Sequence, residues 1–131
     1  MSAPHEHRVQ IYYEDTDHSG VVYHANYLKY FERAREHLIG TDELRRLLEE
    51  DGVGFVVYKA ELTFKQGAVF GDAVVVRTRV ELESAYRGIF HQDVYRGEEL
   101  LVAGQVHLVC VDADRKLVKM PASAVAVLQG R

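Results

Sequence analysis

The 131-residue sequence contains a single cysteine, Cys110, and only two prolines, both near the ends of the chain. One cysteine cannot form an internal disulfide, which excludes a disulfide-stabilised scaffold and favours a reducing compartment. No apolar run approaches the ~18 residues of a membrane-spanning helix. The first ten residues, MSAPHEHRVQ, lack the apolar core of a signal peptide. We therefore expect a cytoplasmic protein without a membrane span.

The sequence also lacks a strong excess of charge of either sign. Sixteen Lys and Arg residues against twenty Asp and Glu give a net charge of −4, which argues against a general nucleic-acid-binding protein. Residues 42–51 hold five acids and two bases, so −3 of the −4 lies in this one segment. The remaining chain is nearly neutral and leaves room for a local basic patch that binds an anionic ligand.

The composition is that of one globular domain. Hydrophobic residues make up 47% and charged residues 27% of the chain, with no linker, repeat or low-complexity stretch. A chain of this length buries about two-thirds of its unfolded surface, so neither disulfides nor a metal are needed for folding. We expect a single domain over residues 1–131.

One long helix is predicted near the N-terminus, because apolar residues there recur with the helical period. Asn26 is a plausible N-cap and Gly40 a plausible stop. A second helical segment is expected over residues 42–50. The apolar positions of the first helix are Tyr27, Tyr30, Phe31, Ala34 and Leu38.

Downstream of Gly54 the hydrophobic period changes from helical to alternating, which indicates strands. The predicted strands are 56–65, 74–83, 87–96 and 99–111, in addition to a first strand over residues 8–13. A short helix is expected after Pro121, and Cys110 is expected to be buried in the core. Short turns between the later strands predict an α+β fold with a curved antiparallel sheet wrapped around the long helix.

The segment from residue 12 to residue 36 is the richest in chemically useful side chains, and it leads into the long helix. A helix N-terminus offers unpaired main-chain N–H groups and a favourable dipole for negative charge. A carboxylate a few residues upstream can face an oxyanion that develops there. One base or nucleophile and one oxyanion hole are the minimum for acyl transfer.

This segment resembles the hotdog-fold acyl-CoA thioesterases of the 4-hydroxybenzoyl-CoA thioesterase family, and in particular their Tol–Pal-associated bacterial subgroup. The stretches that carry the resemblance are YEDTD at 13–17, GVVYHANY at 20–27 and YFERAR at 30–35. They match in order and spacing, whereas the rest of the chain matches in strand pattern and length. The resemblance implies a hotdog fold over the whole domain.

The resemblance implies that Asp17 is the catalytic carboxylate and that the main-chain N–H of His24 polarises the thioester carbonyl. It leaves open whether Asp17 attacks the carbonyl or activates a water. His18 and Ser19 stand where the family often has small residues, which bears on substrate preference. Glu32 is a second candidate carboxylate, because some hotdog thioesterases use an acid from another position.

Each of these residues also has a purely structural interpretation. Asp15 and Asp17 could be ordinary turn acids, and for Asp15 the shaping of the turn is the favoured interpretation. Tyr23 and Tyr27 could line a pocket or pack in the core. The charged residues on the helix resemble surface ion pairs, with Glu32 and Arg35 three residues apart.

Coenzyme A carries three phosphate groups, so a site for its thioesters needs Arg or Lys at the mouth of the pocket. The candidates are Lys65, Arg77, Arg79, Arg87 and Arg96, and the resemblance favours Lys65 and Arg87. The complete set of predicted substrate-binding residues is Tyr23, Asn26, Tyr27, Lys65 and Arg87.

No metal or cofactor is predicted. Residues 15–20 match the first half of a calcium loop, but Asn26 occupies the position where a bidentate Glu is required. The histidines of this region lack zinc-site spacing. The sequence contains neither a G-x-S-x-G elbow nor a phosphate-binding P-loop.

The expected function is hydrolysis of an acyl-CoA thioester to the free acid and CoA. Two alternatives stay open: a hotdog dehydratase or hydratase that uses His24, and a non-catalytic module that binds acyl-CoA or acyl-carrier protein. The resemblance implies a homo-oligomer in which two sheets join edge to edge around shared active sites, often as a dimer of dimers, that is, a homotetramer.

Overall fold

The structure is a computed structural model that describes residues 3–130. It contains five strands and three α-helices: β1 His5–Gln10, α1 Asn26–Ile39, α2 Thr41–Arg46, β2 Gly54–Phe64, β3 Ala73–Leu82, β4 Arg87–Arg96, β5 Glu99–Val111 and α3 Ala122–Gln129. A 3₁₀ turn, Tyr13–Asp15, follows β1, and a π-helical turn, Leu47–Asp51, extends α2. None of the helices in the described range is long and apolar enough to cross a membrane.

The strands form one sheet in the order β1-β3-β4-β5-β2, and every pairing is antiparallel. Strands β3, β4 and β5 are consecutive in the chain and neighbours in the sheet, as the short turns between them predict. Strands β1 and β2 are the two edges. The predicted α+β class with an antiparallel sheet against one long helix is confirmed.

Helix α1 lies across one face of the sheet and supplies much of the core. Its buried side chains include all five of the predicted apolar positions. Contact with the sheet is close at Gly104 of β5, where a Cβ atom would lie 2.6 Å from Cε2 of Phe31 and 2.9 Å from the carbonyl oxygen of Gln92. A side chain at this position would push the helix away from the sheet.

A buried polar bridge also joins α1 to the sheet. The Arg35 guanidinium donates to Oε1 of Gln92 at 3.0 Å, and Nε2 of Gln92 donates to the carbonyl of Phe31 and to Oγ1 of Thr78. Burial lowers the pKa of Arg35, although the charge of Glu32 opposes this shift. The expectation that Arg35 forms a surface ion pair with Glu32 is therefore wrong, because its side chain turns into the core.

The boundaries differ from the predicted ones at the N-terminus. Strand β1 begins earlier than residue 8, because His5, His7 and Val9 alternate inward against β3, and it ends at Gln10. Tyr13 lies in the 3₁₀ turn instead. Asn26 is the first residue of α1 rather than its N-cap, a position that Ala25 occupies.

A bulge in β2 changes which side chains share a face. The pairing with β5 shifts register between Val57 and Lys59, so that Val56 lies opposite Val109 whereas Val57 lies opposite Leu108. Val56 therefore faces away from α1, while Leu62 beyond the bulge lies opposite Gly104 and faces the helix. The prediction that one uninterrupted alternation runs through this strand is wrong.

Candidate active site

The loop between β1 and α1 is folded by its own main-chain hydrogen bonds. The N–H of Asp17 donates to the carbonyl of Val21 at 2.8 Å, and the N–H of Gly20 returns to the carbonyl of Asp17 at 3.0 Å. Gly20 has a φ of 85°, a conformation that favours glycine in this tight turn. The Asp17 carboxylate is consequently held at the tip of a short, closed loop.

One oxygen of the Asp17 carboxylate accepts a hydrogen bond from the main chain, and the other oxygen accepts none from the described residues. Oδ1 accepts the N–H of Ser19 at 2.8 Å, the only hydrogen bond of this carboxylate within residues 3–130. The side chain itself is exposed to solvent. This arrangement orients the carboxylate while leaving Oδ2 able to reach a substrate or a water.

The segment that follows β2 packs against this loop and is hydrogen-bonded to it. The N–H of Val22 donates to the carbonyl of Ala68 at 2.9 Å. A Cβ atom on Gly67 would lie 2.7 Å from Cγ1 of Val21, so only glycine allows the two segments to approach this closely. Lys65 is thereby brought beside Asp17, although 47 residues of sequence separate them.

The two segments and the start of α1 enclose a cavity of about 300 Å³. It unites four of the predicted site residues, which come from three separate parts of the chain. Its lining consists of Asp17, Val21, Val22, His24, Tyr27, Phe64, Lys65, Gln66 and Gly67. The sequence patterns did not identify Phe64, Gln66 and Gly67 as site residues, because only the tertiary contact of the segment after β2 with Val21 and Val22 brings them to the loop.

His24 presents an unpaired main-chain donor at this cavity. No acceptor within the described part of the chain takes the N–H of His24 or of Ala25, and α1 has no side-chain cap. The His24 ring lies 4.7 Å from the Tyr23 ring and 6.2 Å from the Phe64 ring, measured between centroids. The helix N-terminus therefore offers N–H groups and a positive dipole end where a carbonyl oxygen could bind.

The three other predicted residues of this region have different surroundings. Tyr27 is buried in the cavity wall, where its hydroxyl accepts the N–H of Ala68 at 3.3 Å and burial raises its pKa. Tyr23 is about half exposed and covers the His24 ring. The Asn26 amide donates to the carbonyl and to the carboxylate of Asp15, and is directed at that residue.

Within a single chain, Arg87 lies far from the Asp17 cavity. Arg87 pairs with Val109 of β5, whereas the main-chain N–H of Lys65 donates to the carbonyl of Leu101 in the same strand. Val109 and Leu101 are eight residues apart, which corresponds to roughly 26 Å along β5. Arg87 borders a second cavity of about 610 Å³ and its guanidinium lies 5.8 Å over the Tyr58 ring. A single chain therefore does not bring Arg87 to Asp17.

Two observations concern Glu32, the second candidate carboxylate, and metal binding. Glu32 lines a separate groove of about 670 Å³ between α1, α2 and the first half of β2, and does not border the Asp17 cavity. Among residues 3–130, no group of three or more His, Cys, Asp or Glu side chains could hold a metal ion.

The fold and the site together define a class: an α+β domain of the hotdog type, with a carboxylate loop at the N-terminus of its long helix. A comparison with protein families agrees, because the model of the thioesterase-like superfamily matches residues 12–128. The chain belongs to this superfamily. The resemblance carried by the motifs between residues 13 and 35 is thus confirmed.

Relatives of known name cover most of the chain. It is 38% identical over 109 residues to the acyl-CoA thioesterase YbgC of Haemophilus influenzae, covering 82% of this chain and 80% of the relative. It is 35% identical over 121 residues to the acyl-CoA thioester hydrolase YbgC of Escherichia coli, covering 90% of both. Its structure matches a 1,4-dihydroxy-2-naphthoyl-CoA thioesterase from Synechocystis with a TM-score of 0.87, at 25% identity and over 95% of this chain and 94% of that one.

Proposed function

We propose that this protein hydrolyses acyl-CoA thioesters to the free carboxylic acid and CoA. The observation that carries the proposal is a cavity that both Asp17 and His24 border, where the main-chain N–H of His24 has no acceptor within the described residues. The names of the two YbgC relatives and of the Synechocystis thioesterase support the same reaction and the same carrier.

In the proposed reaction the thioester carbonyl oxygen accepts the His24 N–H. Negative charge that develops on this oxygen is stabilised by the N–H and by the helix dipole. Asp17 either attacks the carbonyl carbon, giving an acyl-aspartate that water then hydrolyses, or removes a proton from a water that attacks instead. In both routes the C–S bond breaks and CoA leaves as the thiolate, and no redox cofactor or metal takes part.

The proposal assigns a role to each of the remaining predicted residues that border this cavity or its helix start. Lys65, at the cavity edge, is available to a phosphate or to the pantetheine of CoA. Tyr23 and Tyr27 contribute aromatic surface beside the acyl group. Asn26 acts on the site through its hydrogen bonds to Asp15.

Release of the thiol from a panel of acyl thioesters tests the proposed function directly. The panel includes short aliphatic, long aliphatic and aromatic acyl groups, each on CoA and on acyl-carrier protein. We expect stoichiometric release of thiol and acid with at least one CoA thioester. Hydration of an enoyl thioester without thiol release would identify a hydratase, and binding without any turnover would identify a binding module.

Replacing His24 by alanine distinguishes the contribution of its main-chain N–H to the rate from that of its imidazole. Because alanine keeps the N–H, we expect only an intermediate loss in kcat, about 10- to 100-fold, which corresponds to one supporting contact of ~1–3 kcal/mol. Steady-state thiol release over a range of pH measures this. A variant with the wild-type rate would remove the imidazole from the reaction, and a lost limb in the pH profile would identify it as an acid or base.

The proposed enzyme is a dimer that shares its sites. The edge strand β2 leaves Val56, Val57, Tyr58 and Phe64 roughly half exposed, and such an edge is normally covered. If β2 pairs antiparallel with its copy about a twofold axis, the Phe64 end of one strand lies beside the first half of the other. That half includes Tyr58, against which Arg87 packs, so the partner's Arg87 would approach the Asp17 cavity.

The proposal also includes a tetrameric assembly and a cytoplasmic location. Association of two such dimers into a homotetramer follows the family resemblance. A cytoplasmic location agrees with the single cysteine, Cys110, which is buried and whose pKa is raised by burial. Its thiol is accordingly part of the core and not of the site.

A further inference from the structure

Asp15 connects the carboxylate loop to the first turn of α1 through both its main chain and its side chain. Its carbonyl accepts the N–H of Tyr23 at 2.9 Å and the Asn26 amide at 3.3 Å. Its carboxylate accepts the same Asn26 amide through Oδ1 at 3.3 Å and the N–H of Tyr12 through Oδ2 at 2.8 Å. Three of these contacts join the loop to the helix start, and the fourth, from Tyr12, holds Asp15 to the end of the loop that follows β1.

The chain positions make this junction relevant to catalysis. Asp17 follows Asp15 by two residues, and His24 follows Tyr23 directly. The carboxylate that the proposed reaction uses is therefore two residues from Asp15 itself, and the N–H is one residue from Tyr23, whose own N–H the Asp15 carbonyl accepts. The Asp15 side chain itself is hydrogen-bonded to Tyr12, before the loop, and to Asn26, at the start of α1.

Both carboxylate oxygens of Asp15 serve as hydrogen-bond acceptors. Every hydrogen bond to its carboxylate comes from an N–H donor. The buried Tyr30 hydroxyl lies beside the same two side chains, those of Asp15 and Asn26. Burial, together with the charge of Asp15, raises the pKa of Tyr30, so this hydroxyl stays protonated beside the carboxylate.

We infer that Asp15, held by Asn26, is a positioning residue that sets the separation between the Asp17 carboxylate and the His24 N–H. The inference rests on the proposed thioester hydrolysis. Its physical basis is that a displacement of reacting groups by ~1 Å can lower a rate about 100-fold. Asp15 touches no substrate atom in this scheme and acts only through the geometry of Asp17 and His24.

The test is Asp15→Asn, which keeps the shape of the side chain but replaces one acceptor by an NH₂ group. The new NH₂ group must face either the Tyr12 N–H or the Asn26 amide. Because both of these are donors, one of the two hydrogen bonds to the side chain is lost. We expect kcat to fall about 10- to 100-fold while KM changes less than about 3-fold, since substrate contacts stay in place. The amide NMR signals of Ser19 and His24 should shift, because the loop moves relative to the helix.

An exchange of the two side chains provides a rescue. In Asp15→Asn combined with Asn26→Asp, the new amide can donate to the new carboxylate while its oxygen still accepts the Tyr12 N–H. We expect kcat to recover in part. Recovery is incomplete because a carboxylate at position 26 cannot donate to the carbonyl of residue 15.

The matched control is Asp112→Asn, at the turn after β5. Asp112 also caps main-chain N–H groups, those of Asp114 and Lys116, but lies outside the cavity. We expect its kcat to equal the wild-type value. If Asp15→Asn does not fold, Asn26→Ala removes the amide while leaving Asp15 and should give the same kcat loss with an unchanged KM.

The outcomes separate this inference from the proposed function. Wild-type protein that releases no thiol from any thioester would overturn the proposed function itself. An active wild type with an undiminished kcat in folded Asp15→Asn, or in Asn26→Ala where that variant replaces it, would overturn the positioning role alone. A kcat loss without any recovery in the exchanged pair would also contradict it, because the contact between the two side chains would then be irrelevant.

Discussion

Replacing Asp17 by asparagine is expected to lower kcat at least ~10²-fold, because the change removes the charge that either attacks the carbonyl or activates water. Asparagine keeps the side-chain oxygen that accepts the Ser19 N–H at 2.8 Å, so the loop should retain its shape. Substrate binding should therefore be largely preserved. The measurement is kcat from thiol release, together with the Kd of a non-hydrolysable acyl-CoA thioether.

Glu32→Gln is the matched comparison for this result. It removes one carboxylate from the groove beside α1, outside the Asp17 cavity, so its kcat should stay close to the wild-type value. If Asp17→Asn instead retained most of the wild-type kcat, Asp17 would have no place in the reaction. A large loss in Glu32→Gln under those conditions would make Glu32 the catalytic acid.

Mixing two inactive variants is expected to restore activity if the sites are shared between subunits. The variants are Asp17→Asn and Arg87→Glu, each altered on a different side of the proposed site. In a heterodimer one site then carries both changes and the other carries neither. With random pairing, half of the dimers are mixed, so about a quarter of all sites should be intact.

The positions of Lys65 and Arg87 in the structure explain why Arg87, and not Lys65, is replaced in this experiment. Lys65 borders the same cavity as Asp17 within one chain, so a change there would affect the site that the mixture should restore. Arg87 lies at the far end of the sheet and is the residue that only a partner can supply. Subunit exchange is verified by mass spectrometry of differently tagged chains.

Two results would contradict shared sites. One is a fully active monomer in sedimentation velocity at the concentration of the assay. The other is a verified heterodimer, built from two variants that are each folded and inactive, whose activity stays at the level of the separate variants.

The sequence by itself determined most of the helices and strands and the family. The helical period from Tyr27 to Leu38 predicts α1, and the alternation in residues 74–82 predicts the inward face of β3, since both signals depend only on near neighbours. The motif around Asp17 and His24 identifies the family for the same reason. Its residues adjoin the helix start, and local hydrogen bonds fold them.

Tertiary structure alone decided the features that depend on contacts between distant residues. The bulge at Tyr58 follows from pairing with β5, and the inward turn of Arg35 depends on Gln92, 57 residues further along the chain. Phe64 and Gly67 join the cavity only because the end of β2 reaches the loop, whereas Arg87 is excluded from it by strand register. Periodicity and motifs record local preference, but register, strand order and burial are set by the free energy of the whole packed sheet and helix.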